Sequence, residues 1–222
     1  MANPLPNAAP ENEHEAWRIN MKMALSCWMT FAIALLLGGC SALQPPKVAN
    51  THFYTLDTIS AINPVQQKIP QVLAISMPGA RPGFDTPQIA YQRQPLELEY
   101  FATQRWVDTP AKMLRPLLVQ TLEPVFQAVI AAPGSIHADL RLDTELIRLQ
   151  QDFSLQPSLI HLMLRVQLID LKDKNVISTK LFDVTETAAS EDAYGGVVAA
   201  NRALLRVLEQ LPEFCRKASS RQ

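Results

Sequence analysis

Glycine is scarce, with seven in 222 residues. No Gly-rich loop able to cradle a phosphate is present, nor a Gly-x-Ser-x-Gly elbow or a Ser-x-x-Lys pair. His52, His137 and His161 fall on separate segments, with no cysteine or carboxylate at metal-ligand spacing. No metal site and no catalytic residue are expected, and the chain reads as non-enzymatic. Charge of one sign is also missing: the formal net charge is −1, which gives no reason to expect nucleic acid as a partner. A long hydrophobic run is lacking as well. The apolar stretch Ala24 to Leu37 has fourteen residues, and a spanning helix wants about 20.

What that stretch does have is its ending, Leu35-Leu36-Leu37-Gly38-Gly39-Cys40-Ser41. An aliphatic residue three before a cysteine, then small residues, resembles the lipobox of bacterial lipoproteins. Small side chains let an extended segment enter a membrane peptidase, and only a thiol can take the diacylglyceryl thioether. Residues 21–39 are then a secretory signal, with Lys22 supplying the positive charge such a segment needs. Residues 1–20, which carry Glu11, Glu13 and Glu15, fit that role poorly and read as an over-called start, with translation beginning at Met21 or Met23. Cys40 is the expected lipidation site, and the covalent lipid there the only group expected on the chain. By the sorting rule of such lipoproteins, Ser41 favours the outer membrane, where Asp would favour retention in the inner one.

Removing residues 1–39 takes two of the 20 Lys+Arg and three of the 21 Asp+Glu, which leaves 18 of each and no net charge. Cys27 leaves with the signal and Cys40 is acylated, so Cys215 stands alone and no internal disulfide is possible. The 183 residues left (222 − 39) suit one domain with its own core. Residues 40–50 contain Pro45 and Pro46, show no periodicity and read as a tether. The domain spans 51–215 and a polar tail 216–222.

Within the domain, Phe53–Leu56, Gln71–Ser76, Gln88–Gln94 and Leu96–Phe101 are predicted strands. In the last of these Leu96, Leu98 and Tyr100 point inward and Glu97 and Glu99 outward. Pro78 to Gly83 reads as a turn. Thr109-Pro110 marks a helix start with Thr109 as N-cap; Met113, Leu114, Leu117, Leu118 and Leu122 follow at helical spacing, and Pro124 ends the helix. Pro133-Gly134-Ser135 is a break. Ile136–Phe153, Leu159–Leu171 and Val176–Thr187 are long, half-polar strands, the last two joined at Lys172 to Asn175. Asp139, Asp143 and Glu145 share an outward face and read as solvated charges. A helix from Asp192 to Phe214, with Ser190 as candidate N-cap, carries Tyr194, Val197, Val198, Asn201, Leu204, Leu205, Leu208 and Leu211 in one stripe. Gly195 and Gly196 are expected to let its first turn fray. The order predicts an α+β fold: a mostly antiparallel sheet with two main helices packed on one face.

Tyr100, Arg105-Trp106, Pro110 and Leu114, in the spacing Tyr-x4-Arg-Trp-x3-Pro-x3-Leu after Ile89-Ala90-Tyr91, resemble the core signature of ABC-type transport auxiliary lipoproteins (PqiC-like). The agreement continues through Leu140–Leu149, the Lys172–Asn175 hairpin and Ala199–Ala203, and covers roughly Tyr54 to Leu211. Pro116 and Pro124 depart from it by making the first helix less regular. The resemblance implies an accessory lipoprotein, held by its lipid at the periplasmic face of the outer membrane. Its implied partner is an Mce-domain (PqiB- or MlaD-like) protein of an ABC-type system that moves lipids or other hydrophobic molecules between membranes. A homo-oligomer, such as a ring matching a multimeric Mce partner, is also implied. Arg105 and Trp106 are candidate partner-docking residues, although for Trp106 a corner residue that plugs the core is the preferred reading. Two alternatives stay open. One is an envelope lipoprotein that binds and activates a cell-wall or outer-membrane assembly machine. The other is a lipid carrier with a cavity lined by Leu140 to Leu168.

Overall fold

The computed structural model describes residues 28–29, 50–57, 67–131 and 137–220. Cys40, Ser41, the residues 1–20, most of the 40–50 tether and the Pro133-Gly134-Ser135 break lie outside the described residues. The chain divides into the units Met1–Val48 and Ala49–Gln222, and the second carries the fold described below.

Strand β7 (Leu140–Asp152) is the spine of the domain. One of its edges pairs antiparallel with β8 (Leu159–Asp170) from Leu140↔Asp170 to Asp152↔Leu159. β8 pairs in turn with β9 (Asn175–Thr187) over nearly its whole length. The other edge of β7 is shared by three short parallel strands. β2 (Ile69–Ile75) meets Leu140–Leu142, β3 (Gly79–Ala80) meets Glu145–Leu146, and β4 (Gln88–Gln92) meets Gln150–Asp152. β6 (Phe126–Ala131) extends the sheet beyond β2; β5 (Glu99–Trp106) and then β1 (His52–Tyr54) extend it beyond β4.

The fold is α+β, as expected, but the nine-stranded sheet is mixed. Five of its eight pairings are parallel, although the two longest are antiparallel. The cause is non-local: β2, β3 and β4 follow one another along a single edge of β7 and run in its direction, so each pairs parallel with a strand some sixty residues later. β6, whose residues show no alternating burial, had no counterpart among the predicted strands.

Both helices, α1 (Pro110–Leu122) and α2 (Ala193–Ser219), pack on one sheet face and against each other. The face they cover is Leu140, Leu142 and Leu146 of β7 with Leu162, Leu164 and Leu168 of β8, all essentially without solvent exposure. The opposite face carries His161, Met163, Arg165 and Gln167, each half-buried, so the predicted wet and dry faces are both present. α1 starts at Pro110 with Thr109 in the cap position, yet the Thr109 hydroxyl caps nothing; Asp108 accepts the Thr109 N–H instead, at 2.7 Å. The helix continues through Pro116 to Leu122 because Leu114, Leu117, Leu118 and Leu122 are all buried.

α2 differs from expectation in three respects. Its N-cap is Asp192, whose carboxylate accepts the Gly195 N–H at 2.8 Å, while the Ser190 hydroxyl donates to the same carboxylate. Its first turn is held tightly: a Cβ on Gly195 would collide with Ser190, and one on Gly196 with the Gln151 carboxamide. The glycines therefore permit close helix–sheet approach at a fixed site. Its buried stripe includes Ala199, Ala200, Ala203, Val207, Cys215 and Ala218, so the helix runs on to Ser219, into the expected polar tail. Tyr194 lies off the stripe, exposed, with its ring 6.3 Å from that of Tyr54.

Candidate functional site

The cleft lined by His137, Asp139, Asp170 and Lys172 brings polar groups together at one end of the sheet. Among the described residues no three His, Cys, Asp or Glu side chains stand where they would hold a metal ion. His52 and His137 are exposed on different segments, and His161 approaches Asp152 at 3.7 Å. Burial raises the Asp152 carboxyl, but hydrogen bonds from the Ser154 hydroxyl and N–H and from the Gln92 amide, with His161 nearby, outweigh it and leave the carboxyl below its ordinary value.

The carboxylates expected to be merely solvated each have a partner. Asp139 accepts the Val72 N–H, Asp143 is held by a two-point Arg141 contact at 2.9 Å and by the Ser76 hydroxyl, and Glu145 meets Arg165 and Arg81. These partly exposed pairs fix side-chain positions on the open face and add about 0–1 kcal/mol each. Cys215 is inert in this fold: it is fully buried, and burial pushes its thiol up to about 12.

The surfaces left for function are those a docking domain presents: where the chain joins the domain, the corner after β5, and the free strand edges. At the junction Asn201 of α2 acts as a clasp. Its Oδ1 accepts the Asp57 N–H at 2.8 Å, and its amide donates to the carbonyls of Val197 and Thr55. The Val107 N–H donates to the Tyr54 carbonyl at 2.8 Å, tying the same segment to the end of β5. A polar residue inside an otherwise apolar helical stripe was the available sign of this role.

At the corner, Trp106 is 3 % exposed within the main core. It fills the core, the role preferred from the sequence, and offers no face for docking. Arg105 is half-buried, in register with Phe53 of β1 and Gln88 of β4. Tyr100 is also half-buried, and its hydroxyl donates to the Gly83 carbonyl at 2.9 Å. The predicted inward set of the following strand is partly overturned: Leu96 is fully exposed and Leu98 is 38 % exposed. The strand starts only at Glu99, because residues 93–98 turn around Pro95 with the Glu97 N–H bonded to the Gln94 carbonyl.

On the far side, β9 pairs with β8 alone among the described strands, with Val176 and Leu181 exposed along it. Glu186 of β9 is clasped by Arg202 and Arg206 of α2. Among the described residues, the gap between the helices and the sheet does not offer the room a carrier would need. The gap among Leu56, Leu114, Leu146, Leu149, Leu162 and Leu204 is too small for a water molecule. No helix among the described residues is long and apolar enough to cross a membrane.

The sequence model of the ABC-type transport auxiliary lipoprotein component matches residues 54–211, and the chain belongs to that family. The crystal structure of protein XCC0632 from Xanthomonas campestris shares the fold, with a TM-score of 0.70 at 22 % identity over 77 % of this chain and 98 % of that one. An uncharacterised protein of known structure matches with a TM-score of 0.61 at 10 % identity, over 75 % of this chain and 99 % of its own. The hypothetical protein CT253 from Chlamydia trachomatis is more distant, with a TM-score of 0.48 at 9 % identity over 69 % of this chain and all of its own. No curated relative matches the chain.

Proposed function

We propose that this chain is the lipid-anchored accessory subunit of an ABC/Mce-type system that moves lipids or other hydrophobic molecules between the inner and outer membranes. The family match over 54–211 carries the reading. Cys40 takes the covalent lipid, Ser41 directs the protein to the outer membrane, and the domain stands on the periplasmic face. It performs no catalysis itself. One acyl chain gives only marginal membrane binding, and two make the attachment stable. Confinement at the surface then raises the effective concentration for an otherwise weak contact with an Mce-domain partner. The filled core favours a positional role over the carriage of lipid inside the domain. The outer edge of β9 suits the partner contact, since the backbone groups of alternate residues along it face away from β8 and meet no other described strand.

A photo-crosslinking residue at Leu181, introduced in the cell of origin, tests this reading. Recovery of an Mce-domain protein from detergent-solubilised envelopes is the expected result. Recovery of a cell-wall synthase, or of no Mce protein from either Leu181 or Val176, would contradict it.

A further inference from the structure

One end of the sheet carries apolar side chains that the fold leaves uncovered. There β4 and β7 finish, and β5, β8 and α2 begin. Leu96 in the β4–β5 connection is fully exposed at φ 69°, a left-handed conformation unfavourable to leucine by about 1–2 kcal/mol. Leu98 beside it is 38 % exposed, and Leu155 in the β7–β8 connection is 47 % exposed. The two connections are joined, because the Phe153 N–H donates to the Gln92 carbonyl at 2.9 Å. At the same end of the sheet Tyr91, Phe101 and Phe153 pack ring against ring, with centroids 4.6–6.2 Å apart.

The chain's own path says what covers them. β1 runs parallel to β5 with His52 opposite Gln104, so the chain arrives at His52 from the side of Glu99 and the leucine-bearing turn. From Gln104 back to Glu99 is about 17 Å of strand. Cys40 lies twelve residues before His52, a reach of up to about 40 Å. Acyl chains on Cys40 can therefore enter a bilayer that also touches this turn. Charge selects the lipid. Exposed Glu97, Glu191 and Asp192 outnumber Arg93 at this end, which disfavours an anionic surface and favours zwitterionic headgroups.

We propose that Leu96, Leu98 and Leu155 form a second membrane contact, inserting at the interface of a zwitterionic phospholipid bilayer and fixing how the domain stands on it. The inference rests on Cys40 being the lipid anchor. The β4–β5 end then faces the membrane, and the Lys172–Lys174 turn faces away from it. Two points of attachment remove the free swivel that a tether alone would allow.

The test uses the mature acylated protein in phosphatidylcholine–phosphatidylethanolamine vesicles, with or without brominated acyl chains. Of the three tryptophans, Trp17 and Trp28 precede Cys40 and are absent from the mature chain, and Trp106 is buried, so an added tryptophan reports its own surroundings. Leu96→Trp and Leu155→Trp are expected to shift to the blue on vesicles and to be quenched by brominated lipid; Lys172→Trp at the opposite end is expected to do neither. Adding Leu96→Ser and Leu98→Ser to the Leu155→Trp protein should reduce its quenching several-fold while flotation persists. Flotation without quenching at positions 96 and 155 would overturn the proposal and leave the anchor standing. A blue shift that depends on protein concentration and not on lipid would assign the patch to a second copy and overturn it equally. Failure of the wild-type protein to float would remove the anchor and this proposal with it.

Discussion

The two sides of β7 are assembled differently. β7, β8 and β9 form long ladders joined by the short turns after Asp152 and Asp170, and α2 lies across them. On the other side, β1 to β6 are joined by ladders of only two to five paired residues, and all but the β4–β5 pair link segments far apart in the chain, such as Val72 with Ala128. Each non-local pairing must offset the entropy of closing a long loop, whereas a hairpin closes cheaply. The three-strand side is therefore the firm platform and the other side the more yielding one.

The largest expected effect sharpens this contrast. Leu164→Ala, at the centre of the platform under α2, should cost about 2–5 kcal/mol in denaturant unfolding, and Met163→Ala on the open face much less. Equal losses would break the distinction between covered and open faces. Gly196→Ala comes next: its methyl meets the Gln151 carboxamide, and the overpacking should cost about 1–3 kcal/mol. A neutral result would mean that α2 seats less tightly than described.

Asp192→Ala should cost roughly 1 kcal/mol through loss of the cap. The Gly195 N–H first, and then the Ser190 hydroxyl, hold the Asp192 carboxyl below its ordinary 3.8. A lowered carboxyl contributes stability that is complete above that value and is lost as pH falls through the lowered one. Asp192→Asn should therefore keep most of the cap at neutral pH and flatten the acid limb of the stability curve, which a urea series from neutral pH to below pH 3.8 would measure. Gln167→Ala, on the open face, should stay within about 0.5 kcal/mol. Amide exchange resolves the two sides without mutation: central β7 and β8 should exchange slowest, and β1 and β3 fastest.

The platform was also the legible side. The alternation in Leu140–Leu146 and Ile160–Leu168, the stripe around Leu204 and Leu208 and the Lys172–Asn175 turn all state their structure locally. The parallel pairings do not, because no residue pattern within β2, β3 or β4 names β7 as the partner. β3 was hidden inside what reads as turn chemistry from Pro78 to Gly83. Leu96 and Leu98 misled for a different reason: alternation with Glu97 and Glu99 imitates a buried strand, while Pro95 sets up a turn that turns both leucines outward. At the site, the corner signature was legible in residue type but not in exposure, and Trp106 proved to be core. The clasp made by Asn201 with Asp57 spans 144 residues, a contact that a polar residue in an apolar stripe hints at but does not specify.

The proposed role depends most on a domain that works from a fixed place on a membrane. Intact-mass measurement of the detergent-extracted protein tests that most directly. A chain beginning at Cys40 and carrying a diacylglyceryl thioether is the predicted result. A mature chain that retains residues before Cys40, or an unmodified Cys40 thiol, would contradict it.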